Sequence, residues 1–144
     1  MPSVHKSVLV PYTAAQMFAL VERSDDYPLF LPWCAGAQAL ERDGERVVVR
    51  IDIDFHGVRA HFTTANLNRP SERIVMQLRD GPFRRLEGTW QFHELATQAC
   101  KVEFELEYEF SSATLARVVG PVFNYIADSF IDAFVKRAEV VYRQ

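Results

Sequence analysis

The sequence predicts an α+β domain, a curved antiparallel sheet of about six to seven strands wrapped around one long C-terminal helix. Three observations carry this. Between residues 47 and 110, apolar and polar side chains alternate in segment after segment with turn residues between them, the period of half-buried strands in meander spacing. Residues 112–144 instead repeat at about 100° per residue. On that spacing Phe123, Ile126, Phe130, Phe134 and Val141 fall on one side, and Asp128, Asp132, Glu139 and Arg143 on the other. Only one face of the predicted strands is apolar, so the sheet is wet on one side and offers the helix a surface on the other. At about 1.5 Å per residue the helix after Pro121 is roughly 36 Å long, the width of a small domain. With 144 residues and no repeat, linker or low-complexity segment, residues 1–144 form one domain.

Taken in order, residues 3–10 alternate weakly and stop at Pro11, which suits a first strand. Thr13 is the expected N-cap of a helix that buries Met17, Phe18, Leu20 and Val21 and ends near Ser24. Residues 27–34, YPLFLPWC, carry Pro28 and Pro32 and are expected as an apolar turn or loop, since neither a regular helix nor a central strand fits across them. Leu29, Phe30, Leu31 and Trp33 are more apolar surface than such a loop needs, the mark of a ligand entrance or a membrane contact. Val47, Val49, Ile51, Ile53 and Phe55 make a strand face. A two-residue turn at His56-Gly57 pairs Phe55 with Val58, Ile53 with Ala60 and Ile51 with Phe62, and sets Asp54 opposite Arg59 and Asp52 opposite His61. Ile74, Met76 and Leu78 form a shorter strand ended by Asp80-Gly81-Pro82. Leu86, Trp90 and Phe92 face one way on the next strand, and Val102, Phe104, Leu106, Tyr108 and Phe110 on the last. A turn near Thr97-Gln98 is expected to place Trp90 beside Leu106 and Phe92 beside Phe104. Gly120-Pro121 breaks the long helix and is the candidate hinge of a lid.

Hydrophobic residues make up 49% and charged residues 24%, with eleven Phe, an ordinary globular composition rich in large apolar side chains. A net charge of -3 argues against indiscriminate binding to phosphate backbones, and no DNA partner is expected. Cys34 and Cys100 are too few and too far apart for a disulfide scaffold or a zinc site, and read as buried reduced thiols. No apolar run approaches the roughly eighteen residues of a membrane span, and the N-terminus lacks the pattern of a signal peptide, so a cytoplasmic location is expected.

The order of elements resembles the helix-grip fold of START-like domains, which include lipid-transfer modules, polyketide cyclases and aromatases. Residues 10–21 (VPYTAAQMFALV), 27–34 (YPLFLPWC), 80–92 (DGPFRRLEGTWQF) and 122–138 (VFNYIADSFIDAFVKRA) are similar to the coenzyme Q-binding protein family, which includes the bacterial ribosome association toxin RatA. The resemblance runs over nearly the whole chain. It implies a hydrophobic cavity for ubiquinone or a similar lipid as ligand, with no further cofactor, and work at the periphery of the inner membrane. For the toxin it implies binding to the large ribosomal subunit and a block of subunit joining, and the cyclase label implies action on a polyketide.

The candidate ligand-binding set is Tyr27, Phe30, Leu31, Trp33, Phe62, Met76, Trp90, Phe104, Tyr108, Phe123, Ile126 and Phe130, all able to point between sheet and helix, where a filled core and a lined cavity use the same residues. Tyr27, Tyr108 and Arg84 are the polar groups expected to orient a headgroup. Thr64 and Tyr108 are the inward polar positions a cyclase would need. Arg69, Arg73, Arg79, Arg84 and Arg85 cluster around the ends of adjacent strands, a local basic patch for an anionic headgroup or ribosomal RNA. Glu103, Glu105, Glu107 and Glu109 all point away from the apolar face and read as a solvated surface that discourages edge pairing. The four histidines show no ligand spacing, so no metal is expected, and no nucleophile elbow or phosphate loop is present. No catalytic residue is assigned.

Overall fold

The computed structural model describes residues 3–142, so Arg143 and Gln144, expected in the last turn of the helix, lie outside the described residues. Strand β1 (Ser3–Val10) leads into helix α1 (Ala14–Glu22) and a 3-10 helix (Ser24–Leu29). Six strands follow without interruption: β2 (Cys34–Asp43), β3 (Arg46–Phe55), β4 (Val58–Arg69), β5 (Arg73–Asp80), β6 (Phe83–Ala96) and β7 (Ala99–Phe110). Helices α2 (Ala113–Val118) and α3 (Gly120–Val141) close the chain. The seven strands form one sheet in the order β1-β7-β6-β5-β4-β3-β2, every neighbouring pair antiparallel.

Local chemistry explains most boundaries. The Thr13 hydroxyl accepts from the Gln16 amide while the Gln16 side chain accepts from the Thr13 amide, a reciprocal cap that starts α1. The β3–β4 hairpin has the register its two faces require, from Phe55↔Val58 to Ile51↔Phe62 and Asp54↔Arg59. His56 and Gly57 both take positive φ, 51° and 80°, as a two-residue hairpin turn demands.

Four details differ from the sequence expectation. Strand β2 is invisible to a period-two reading because register shifts beside Gly36 and Glu41 break its alternation twice, and its half-buried positions hold only Gly36, Ala37 and Ala39. Residues 24–29 form a regular 3-10 helix in spite of Pro28. Its i→i+3 pattern avoids the clash with the i−4 carbonyl that excludes proline from an α-helix. Between β6 and β7, Trp90 lies opposite Phe104 and Phe92 opposite Val102, two residues from the expected register. The Thr97-Gln98 turn pairs Ala96 with Ala99, and Leu95 is bulged out before Glu94 pairs with Cys100, which restores the parity that keeps both apolar faces inward. Val141 is 39% exposed, because the last turn of α3 has left the sheet for α1, where the Tyr142 hydroxyl donates to the Gln16 carbonyl at 2.7 Å.

Helix α3 crosses the concave face and buries Phe123, Ile126, Ala127, Ile131, Phe134 and Ala138 against it. It is tied along its length: Tyr108 on β7 donates its hydroxyl to Asn124, Lys6 on β1 reaches the Asp128 carbonyl at 2.6 Å, and Tyr142 holds the far end. Pro121 sits in the first turn of α3, where its missing N–H was never needed. The backbone bonds Val119→Leu115 and Phe123→Val119 continue past it. The break therefore separates α3 from α2, which buries no residue.

Candidate functional site

The concave face is apolar for a local reason: strands β3 to β7 turn large hydrophobic residues inward, and α3 supplies Phe123, Ile126 and Phe130 from above. Between them lies a cavity. Measured out to its solvent-open mouth, the concavity spans about 810 Å³, but only about 70 Å³ of it is wide enough for water. That is room for a few waters, against the ~300–1,000 Å³ of pockets that hold drug-sized ligands. A glycine shapes one wall. A Cβ on Gly88 would stand 2.6 Å from Met76 Cε and 2.9 Å from Leu106 Cδ1, so a larger residue there would push these two side-chain ends aside.

Nine of the twelve residues expected at the site line this cavity: Tyr27, Trp33, Phe62, Met76, Trp90, Phe104, Phe123, Ile126 and Phe130. Phe130 joins them. Its ring centroid lies 6.0 Å from Trp33, 5.6 Å from Trp90, 5.4 Å from Phe104 and 5.1 Å from Phe134. The other three lie elsewhere. Leu31 is fully buried in the core at 1% exposure. Phe30 packs edge-on to Phe134 at 5.1 Å, with the Arg137 guanidinium 5.2 Å over its ring. Tyr108 is buried among Phe83, Phe110 and Phe123. The expected apolar entrance also shrinks: Leu31 and Trp33 are interior, and of the four residues only Leu29, 70% exposed, is fully at the surface. The inward Leu31 and Trp33 lie just after the 3-10 helix, whose last residue is the exposed Leu29.

Of the expected polar groups Tyr27 and Thr64 line the cavity, and Tyr108 and Arg84 do not. The Tyr27 hydroxyl donates to the Val21 carbonyl at 2.5 Å, and burial raises its pKa far above the ordinary tyrosine value. Tyr108 is committed to Asn124, and burial raises its pKa too. Arg84 lies outside the cavity, 3.0 Å from Glu109. The cavity instead takes its polarity from Thr64, Asn66 and Asn68 on β4, with Ser24 and Glu22 beside them. The β4 trio continues the inward alternation that starts at Phe62, so the period-two pattern, carried past Thr64, was the signal that could have found it. Thr64 donates to Asn66 Oδ1 at 2.7 Å. Ser24 Oγ and Asn68 Oδ1 are buried and have no hydrogen-bond partner in the protein.

The five arginines do not form one patch. Arg69 and Arg73 face each other across the β4–β5 turn, while Arg79, Arg84 and Arg85 sit at the opposite end of β5, ~20 Å away by strand length. Arg84 and Arg85 are paired with Glu109, Glu87 and Glu107, so the carboxylate row neutralises them. Among the described residues Arg69, Arg73 and Arg79 form no ion pair. Glu103 in the same row accepts a hydrogen bond from His5, which holds its carboxyl below the usual range. Among the described residues no group of three or more His, Cys, Asp or Glu is placed to hold a metal ion. Burial pushes the Cys34 and Cys100 thiols up to about 11, so neither is a thiolate nucleophile near neutral pH.

A curved antiparallel sheet gripping a long C-terminal helix over an apolar cavity defines a START-like helix-grip protein. Solved structures agree. The Zhui aromatase/cyclase from Streptomyces sp. R1128 superposes with a TM-score of 0.81 over 99% of this chain and 96% of its own, at 19% identity. A START superfamily protein from Mycobacterium smegmatis gives 0.75 over 96% and 98%, at 21% identity. Among sequence relatives, ribosome association toxin RatA of Vibrio cholerae is 42% identical over 99% of both chains. The mitochondrial coenzyme Q-binding protein coq10 of Schizosaccharomyces pombe is 26% identical over 95% of this chain and 87% of its own. The family described as polyketide cyclase / dehydrase and lipid transport matches residues 10–135. The chain belongs to that family, in the group that holds RatA and coq10. No helix among the described residues is long and apolar enough to cross a membrane.

Proposed function

We propose that the protein binds a hydrophobic small molecule, ubiquinone or another isoprenoid lipid, in the cavity between sheet and α3, and does not transform it. The observation that carries this reading is an apolar cavity walled by aromatic rings, placed where the fold grips its helix. Burial of an apolar tail there contributes roughly 25 cal/mol per Å² removed from water. The coq10 relative, by its name, binds coenzyme Q. A catalytic reading has little to draw on: of its two expected inward groups, Tyr108 lies outside the cavity with its hydroxyl engaged and Thr64, which lines it, already donates to Asn66, while both thiols are held neutral. The chain's two tryptophans, Trp33 and Trp90, both line the cavity, so their emission reports on it directly. Added decylubiquinone is expected to quench that emission saturably, and organic extraction followed by mass spectrometry is expected to release a lipid. Protein that emerges empty and whose emission does not change overturns the reading.

A second reading is favoured by the likeness to RatA: association with the large ribosomal subunit. The unpaired Arg69 and Arg73 at the β4–β5 turn are the cationic surface it would use. Co-sedimentation with isolated large subunits, lost on Arg69→Glu/Arg73→Glu, is its expected result. Equal co-sedimentation of that variant removes the turn from the interface.

A further inference from the structure

The polar part of the cavity lining carries information about the ligand that its apolar walls do not. Asn68, 8% exposed, and Ser24, 3% exposed, each bury an oxygen with no partner in the protein. Both line the same cavity, Asn68 from β4 and Ser24 from the start of the 3-10 helix. A buried carbonyl oxygen without a donor is costly, and a serine hydroxyl can both donate and accept. Two such groups in the lining of one largely apolar cavity are complementary to a ligand group that does both as well. Charge narrows the class further. No Lys or Arg is among the residues that line the cavity, and its one carboxylate, Glu22, is already paired with Arg42 at 3.2 Å. A carboxylate or phosphate headgroup would enter with no cation to meet it and with Glu22 nearby.

Resting on the binding reading above, we infer that the polar part of the lining receives an uncharged hydroxyl group carried on an apolar body, its O–H donating to the unpartnered Asn68 oxygen, with Ser24 a second hydrogen-bonding group for the same headgroup. For a quinone-type ligand this selects the reduced, hydroxyl-bearing form, since an oxidised quinone oxygen only accepts. Ionised fatty acids and phospholipids are disfavoured, because no cation lines the cavity to meet their charge. The selection is a matter of hydrogen bonds left unmade: a site built to bond a hydroxyl discriminates strongly against an analogue that lacks it.

Three probes of matched shape test this through tryptophan emission: 4-octylphenol, its methyl ether 4-octylanisole, and 4-octylbenzoate. The phenol is expected to bind about tenfold more tightly than the ether, a difference of about 1.4 kcal/mol, with the benzoate weakest. Asn68→Leu is expected to abolish the preference for phenol over ether while keeping affinity for the ether. It removes a buried unpaired oxygen, so its Tm is expected not to fall. Ser24→Ala reduces the preference by an independent route should the leucine variant fold poorly. Benzoate binding as tight as the phenol, or a phenol preference that survives both substitutions, overturns the inference and leaves the cavity as a binding site. Failure of all three probes to bind overturns the binding reading with it.

Discussion

Replacing Phe134 by alanine is expected to lower the unfolding free energy by about 3–5 kcal/mol, the loss typical of a buried phenylalanine whose site cannot collapse. Phe134 has 0% exposure. Its ring meets Tyr27 at 5.4 Å, Phe30 at 5.1 Å, Trp90 at 5.2 Å and Phe130 at 5.1 Å, so the truncation leaves a hole bounded by rings that sheet, helix and 3-10 helix each hold in place. For a domain of this size the melting temperature should fall by roughly 10 °C or more. Val141→Ala is the control. It occupies the same angular position on α3 yet lies exposed at 39%, and should change stability by less than ~0.5 kcal/mol. Chemical denaturation of both proteins checks the pair. A Phe134→Ala loss below ~1.5 kcal/mol, or equal losses for the two, would mean that the helix does not seat on the sheet as described.

Filling the cavity should separate binding from stability. Ala127 is 2% exposed and lines the cavity from α3. Ala127→Leu adds three carbons to a space of about 70 Å³. Affinity for decylubiquinone, read from tryptophan quenching, is expected to fall at least tenfold, because the ligand must now displace a wall that cannot retreat. The melting temperature should hold or rise, since filling a void commonly adds ~0.5–2 kcal/mol. If leucine overpacks the site and the melt falls instead, Ala127→Val asks the same question with a smaller side chain. Affinity within twofold of the parent in both variants would place the ligand somewhere else.

How much of this was legible in the sequence depended on how many independent constraints acted on each element. The β3–β4 hairpin was legible in full, because Phe55 to Ile51 on one face and Asp54 to Asp52 on the other demand one register and the His56-Gly57 turn permits it. Strand β2 was not legible, because its two irregularities erase the alternation that marks a strand. The β6–β7 register failed by two residues because an exposed leucine bulge leaves no trace in a hydrophobicity pattern. At the site, the apolar wall could be read from the same alternation that made the sheet, whereas its hydrogen-bonding part could not. Tyr27 and Tyr108 looked available because sequence does not show that the Val21 carbonyl and Asn124 already take their hydroxyls. Asn66 and Asn68 lie beyond Thr64, where the strand face was not followed, although their parity with Phe62 places them inside.

The narrowness of the cavity has a kinetic meaning. Anything larger than a few waters enters only after protein surfaces part, and Phe130, a half-buried ring touching Trp33, Trp90, Phe104 and Phe134, stands among the surfaces that must yield. If the protein binds a ligand there, as proposed, loading waits on that parting of surfaces, and at high ligand concentration the association rate should level off at the pace of the rearrangement, the same for every ligand.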